Sequence, residues 1–189
     1  MATTKWALDP THSEIQFKVK HLLISTVTGE FKKFDATVET DGDDFTTAKI
    51  QLTVDIDSIS TNNEQRDAHL KSGDFFEAEK HPKLTFVSDR LEKIDEEEYK
   101  LYGKLTMRGT TKDVVLKAEF GGSTVDPWGN TRVGFELTGK IDRQDFGVSF
   151  GMISETGGLL LGNDVKIFAN AEFVKQQVAE PVAAESMAS

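Results

Sequence analysis

In Ile15-Gln16-Phe17-Lys18-Val19-Lys20-His21 every second residue is apolar up to His21, the period of a strand with one face in a core and the other in water. Residues 48–56 repeat the pattern, with Ala48, Ile50, Leu52, Val54 and Ile56 on one face and Lys49, Gln51, Thr53 and Asp55 on the other. The same signature returns in Leu84 and Phe86, in Leu101, Gly103, Leu105 and Met107, in Val114, Leu116, Ala118 and Phe120, in Val133, Phe135, Leu137 and Ile141, and in Val165, Ile167, Ala169, Ala171 and Phe173. Between residues 27 and 40 the phase slips: Val27, Gly29 and Phe31 alternate, then Phe34, Ala36 and Val38 resume one register later. A bulge near Lys32-Lys33 accounts for the slip and bends the sheet. Long strands that closed on nothing would leave ladder groups open to other chains, so closure is favoured. About eight antiparallel strands of roughly 8–12 residues suit an up-and-down barrel, filled by side chains or holding one small ligand. A two-sheet sandwich is the alternative.

Composition narrows the chemistry. With 189 residues the chain suits one core, expected over residues 1–175, with 176–189, rich in Ala, Glu and Ser, as a disordered tail. A formal charge of −10 argues against nucleic acid as partner. The lack of cysteine removes disulfides, thiolate metal sites and thiol nucleophiles. The first twenty residues hold only Trp6-Ala7-Leu8 before Asp9 and Pro10, and nowhere is there the run of about 20 apolar residues a membrane span needs. The resulting expectation is a cytoplasmic protein with no stable membrane insertion.

One segment, residues 62–72, reads as a short helix: Thr61 and Glu64 have capping-box spacing, Gly73 supplies a stop, and Asp67 and Lys71 are four apart on a solvated face. Gly147-Val148-Ser149-Phe150-Gly151 satisfies the G-x-S-x-G pattern of a hydrolase nucleophile elbow, but no helical periodicity follows it and the chain has no βαβ units. His12, His21, His69 and His81 lack metal-binding spacing, so no metal or cofactor is expected. Arg66 and His69, three apart on the helix, either meet a ligand head group at a barrel mouth or anchor the helix to the rim. The inner face is the most informative set, and Gly103 and Gly139 break it where bulk would intrude, leaving space. Leu159-Leu160-Leu161, between Gly158 and Gly162, reads as a flap over an apolar mouth or as docking onto the core.

Several blocks, in order, resemble the YceI-like family of polyisoprenoid-binding proteins. They are Asp9-Pro10-Thr11-His12-Ser13, Val27-Thr28-Gly29-Glu30-Phe31, Asp57-Ser58-Ile59-Ser60-Thr61 leading into Arg66-Asp67-Ala68-His69-Leu70-Lys71-Ser72, and Phe75-Phe76. Later come Gly103-Lys104-Leu105-Thr106-Met107-Arg108-Gly109-Thr110, Trp128-Gly129 with Arg132, Ile141-Asp142-Arg143 with Asp145-Phe146-Gly147, and Asn163-Asp164-Val165-Lys166-Ile167. The resemblance spans about residues 6 to 174 and implies an extended, lipocalin-like, all-β antiparallel barrel whose apolar tunnel holds an isoprenoid lipid, a polyprenyl chain or isoprenoid quinone, without catalysis. Many relatives are exported and some are dimers, so a homodimer is a possible assembly; storage or transport of a lipid is the expected role.

The residues expected to hold the ligand are Phe17, Val19, Ile50, Leu52, Val54, Phe86, Leu105, Met107, Leu116, Phe135, Leu137 and Ile167 on the inner face, Phe146, Phe150 and Met152 as wall or mouth, and Leu70, Phe75 and Phe76 at the entry. His21, Arg66 and His69 are the head-group candidates. Two other readings stand beside this one: an enzyme acting on an isoprenoid or quinone head group, and a solid barrel serving as an interaction module.

Overall fold

Proline has no N–H to give a strand ladder, and the chain bends at Pro10: β1 (Thr3–Leu8) passes through a 3-10 turn at Pro10–His12 into β2 (Glu14–His21). The computed structural model describes residues 2–22, 24–151 and 161–176. After β2 the chain turns into β3 (Ser25–Phe31), breaks at Lys32-Lys33 where the alternation slipped, and resumes as β4 (Phe34–Asp41). A third bend, the 3-10 turn Ile56–Ser58, separates β5 (Asp44–Asp55) from β6 (Ile59–Ser60). The second and third bends are bonded together, Lys32 N–H donating to the Ser58 carbonyl at 3.2 Å and Asp55 N–H to that of Lys33 at 2.9 Å. These two neighbouring long strands therefore bend together.

The remaining elements are α1 (Glu64–Leu70), β7 (Lys83–Lys93), β8 (Glu98–Met107), β9 (Thr110–Val125), β10 (Thr131–Asp142) and β11 (Leu161–Lys175). The sheet runs β1-β4-β5-β7-β8-β9-β10-β11 and closes on itself where β11 pairs with β1, antiparallel throughout. β2 continues β1 along β11, β3 pairs with β2, and β6 with β3. Counting each bent pair as one long strand, the described residues form an eight-stranded up-and-down barrel with one short helix. At the end carrying the hairpins Asp41–Asp44 and Lys93–Glu98, aromatic rings fill the bore: Phe45 lies 5.1 Å from Trp6 and 5.2 Å from Phe135 between centroids, and Phe120 5.3 Å from Phe135. That plug is a packed floor. No helix among the described residues is long and apolar enough to cross a membrane.

The helix start differs from the capping-box expectation. Asn62 takes φ +61°, a left-handed conformation Asn tolerates, and this makes Asn63 the cap, its side-chain oxygen accepting from Arg66 N–H at 3.0 Å. Thr61 is used elsewhere: its N–H and hydroxyl both donate to the Asp67 carboxylate, at 2.8 and 2.6 Å. Asp67, held there, makes no ion pair with Lys71 among the described residues. Gly73 is not the stop either, since the helix ends at Leu70 with Lys71 as the closing right-handed residue.

At the first bend Arg132 of β10 gathers three carboxylates, Asp9 and Asp126 at 2.8 Å and Glu172 at 3.0 Å. Hydrogen bonds from Thr11, His12 and Arg132 hold the Asp9 carboxyl well below the usual carboxylate range, and chiefly the Arg132 contact lowers Asp126 to about 2. Hydrogen bonding to Asp9 raises His12. Groups with depressed folded values stabilise fully above their unfolded value of about 4 and lose that contribution as pH falls through the folded value. His12 has the opposite sign, its contribution being present below about 6.5 and lost as pH rises through its raised value. The expected result is a urea midpoint that falls steeply between about pH 4 and 2. Arg132→Met should lower the midpoint at pH 6 and flatten that acid limb; equal limbs in both proteins would show that the cluster does not couple to folding.

Candidate functional site

Above the aromatic floor the inner faces do not meet, and they enclose a cavity of about 500 Å³ that opens at the end carrying α1. Strand alternation places Phe17 and Val19 of β2, Ile50, Leu52 and Val54 of β5, Phe86 of β7, Leu105 and Met107 of β8, Leu116 of β9, Phe135 and Leu137 of β10 and Ile167 of β11 on its wall. Leu70 at the end of α1, Phe75 and Phe76 just after it, and Phe150 reach the same space from the open end. Phe75 and Phe150 pack against each other at 5.1 Å.

Phe146 departs from expectation. It closes the 3-10 turn Arg143–Phe146, is 2% exposed and packs into the core, and Gly147 at φ +73° then turns the chain so that Val148 and Phe150 face the cavity instead. Met152, Leu159 and Leu160 lie outside the described residues, as does the expected tail beyond residue 176; Leu161 lines the cavity. The G-x-S-x-G stretch is no elbow within its described residues, because a 3-10 turn precedes it and Ser149 is exposed on an irregular segment.

The glycines act differently from simple gaps. A Cβ on Gly103 would fall on the Phe86 ring, one on Gly139 on Leu116, and one on Gly29 on the Phe17 ring. Each bare backbone is thus a seat for a neighbouring strand's side chain, as when aromatic rings cover sheet glycines. The space they leave is occupied, and the gain to the bore is indirect: a seated ring lies back against the wall.

Polar groups gather at the open end. His21, Arg66 and His69 all line the cavity there, with Thr61. Arg66 is both anchored and facing the opening: its Nε donates to Thr61 Oγ1 at 2.7 Å and Nη2 to the Thr61 carbonyl at 2.8 Å. His69 Nε2 sits 2.8 Å from Asp74, and its ring makes edge contacts 5.0 Å from Phe75 and from Phe150. This pair is therefore held by Thr61 and Asp74 and at the same time lines the cavity.

Sequence reasoning passed over Arg143. The inner parity of β10, Val133, Phe135, Leu137, Gly139 and Ile141, runs on to residue 143, and that continuation was the available signal. Arg143 lines the cavity at 3% exposure. Its Nε donates to the Gly162 carbonyl at 2.8 Å, and Nη1 to those of Val148 at 2.8 Å and Phe150 at 2.6 Å. Burial pushes its guanidinium pKa down from the ordinary value.

Asp9, His12 and Glu172 are close enough together to offer a cation three ligands. Arg132 Nη1 already bridges Asp9 and Glu172, so a guanidinium supplies the positive charge there. This cluster is a clasp on the first bend, at a distance in the fold from the open end of the cavity.

The sequence model of the YceI-like domain matches residues 6–173. A UPF0312 protein of Staphylococcus aureus (strain MSSA476) is 43% identical over 171 residues, 90% of this chain and 97% of that relative. Among solved structures, a YceI protein of Campylobacter jejuni is 38% identical with a TM-score of 0.72, covering 84% of this chain and 90% of that one. A polyisoprenoid binding domain from Saccharophagus degradans, implicated in plant cell wall breakdown, superposes with a TM-score of 0.65 at 13% identity over 90% of this chain and 98% of its own, a likeness of fold.

Proposed function

The chain belongs to the YceI-like domain family, and from that premise we propose that it binds an isoprenoid lipid in the barrel cavity, without catalysis, and stores or carries it. The observation that carries the reading is the make-up of the cavity: a lining that is apolar apart from Gln16 and Asn170 near the first bend and a group of polar side chains, His21, Thr61, Arg66, His69 and Arg143, toward the end carrying α1. A hydrocarbon tail has no polar groups to satisfy, so a dry bore needs shape more than hydrogen bonds. The volume of about 500 Å³ falls in the range of ligand pockets. Each buried methylene-sized unit contributes roughly 0.8 kcal/mol, so ten such units give about 8 kcal/mol before ordering costs reduce it. Isoprenoid chemistry, rather than any apolar chain, is supported by the ligand class in the description of the S. degradans domain.

The test is direct. Protein purified from a host that makes isoprenoid lipids is extracted, the lipid fraction identified by mass spectrometry, and the stripped protein titrated with geranylgeraniol. About one equivalent of isoprenoid per chain is expected. Folded protein that repeatedly emerges empty and takes up no geranylgeraniol would overturn the reading.

A further inference from the structure

At the end away from α1, beyond the aromatic floor, lies a second cavity of about 290 Å³. Trp6, Tyr99 and Phe120 wall its inner side, and the exposed Asp44 and Lys93 border it toward solvent. One side chain, Phe45, lines both cavities. Its ring stands 5.2 Å from Phe135, which lines the main cavity, and 5.1 Å from Trp6, which lines the second. At Phe45 the floor is therefore a single ring deep. The backbone carrying that ring is loosely tied: β5 pairs with β4 at Asp44 and again from Lys49 to Val54, and with β7 only from Gln51 to Asp55. Residues 45–48 thus have no ladder partner on either side among the described residues. Local bonds hold them instead, Thr46 N–H and hydroxyl to the Asp44 carboxylate at 3.0 and 2.6 Å, and Asp41 N–H to the Thr47 hydroxyl at 2.8 Å. A stretch with so few ladder bonds opens at lower free energy than the sheet around it. Trp6 and Phe135, by contrast, sit on strands paired on both sides at those very positions.

We propose that Phe45 is a movable stopper, and that the cavity behind it is a second subsite, for the far end of an isoprenoid tail too long for the main bore. A hydrocarbon chain that displaces the ring exchanges one aromatic contact for others, on Trp6 and Phe120, and drives water from a wall that binds it poorly. A short tail leaves the ring in place and the second cavity wet. One ring then lets a single barrel take tails of different length with the rest of its wall unmoved.

This rests on the isoprenoid reading and adds to it the residue that sets tail length, so the experiment separates the two. Stripped, folded protein carrying Trp128→Phe, which leaves Trp6 as the one indole of the chain, is titrated with geranylgeraniol, of four isoprene units, and solanesol, of nine. Trp6 is buried and its Nε1 donates to the Thr40 hydroxyl at 3.0 Å, so its emission reports the space beside a fixed ring. Solanesol is expected to shift that emission and geranylgeraniol to leave it unchanged. Ser123 lines the second cavity and lies opposite Val133 in register. Ser123→Phe, filling that cavity from the far side, should weaken solanesol at least about tenfold and leave geranylgeraniol unaffected. Phe45→Ala should bind solanesol more tightly, because no ring has to move. Should Ser123→Phe fail to fold, the Trp6 emission and Phe45→Ala decide. Emission indifferent to solanesol, Ser123→Phe weakening both alcohols alike or neither, or Phe45→Ala binding solanesol no more tightly would overturn the stopper and leave the isoprenoid reading in place. Failure of both alcohols to bind the natural protein would overturn the isoprenoid reading itself, and the stopper with it.

Discussion

Leu52→Glu is expected to leave the barrel folded and to empty it. Leu52 sits in β5 between Ala36 of β4 and Phe86 of β7 in register, its side chain on the cavity wall. In a solid core a lone carboxylate there would unfold the protein. In a hollow one, water admitted to the vacant bore solvates it, and the folding cost is mainly the lost leucine burial, about 1.5–3 kcal/mol. Binding is penalised far more, because the entering tail must strip that water or force the carboxylate to take a proton. Stripping hydration from an unpaired charge costs several kcal/mol, which corresponds to a loss of about a hundredfold or more in retention. Native mass spectrometry at pH 7.5 should find lipid in the natural protein and none in the variant, with circular dichroism superimposable. Lowering the pH toward that of a neutral glutamic acid should restore part of the retention. A variant that keeps its lipid at pH 7.5 would mean that Leu52 does not face the ligand.

The second large effect concerns the glycine seats, where two similar substitutions should separate stability from capacity. At Gly29 the three nearest atoms a Cβ would meet all belong to the Phe17 ring, which lines the cavity, so a ring displaced by that Cβ is expected to move into the bore. At Gly103 the Cβ would also lie 2.7 Å from the Val87 carbonyl, which belongs to the sheet and cannot swing. Gly103→Ala should therefore cost about 1–3 kcal/mol of stability, the range for overpacking a fitted interior. Gly29→Ala should cost less stability and shorten the usable bore. Titration with prenyl alcohols of increasing length would register this as a selective loss for the longest tails. If Gly29→Ala binds every length as the natural protein does, the seated ring plays no part in shaping the bore.

Much of the barrel is legible in the sequence because a closed sheet with one wet face imposes period two on nearly every strand. Phe17, Leu52, Leu105 and Ile167 could be placed on one surface without knowing which strands pair, and the slip at Lys32-Lys33 announced its own bend. What alternation cannot carry is lateral information. Gly103 reads as a gap until the register brings Phe86 onto it, and the inner face alone does not say that Trp6, Phe45 and Phe135 meet as a floor while Leu52 and Ile167 stand apart. Local hydrogen bonding is equally hidden: Thr61 looks like a cap, yet Asp67 holds it and leaves the cap to Asn63. Arg143 escaped because a charged residue at the end of an apolar parity is ordinarily taken to have left the wall.

Among the described residues β11 comes last in chain order, and it is also the strand that closes the ring against β1 and β2. While the chain is being synthesised, the other strands can pair only as an open, curling sheet with a slit along its length, and that slit persists until residues 161–175 have left the ribosome. A greasy guest acquired before then would be held on a half-pipe exposed to every other nascent chain. On the proposed reading, a lipid would enter the finished barrel through its end, after release, and a ribosome stalled short of residue 161 would present an open apolar trough.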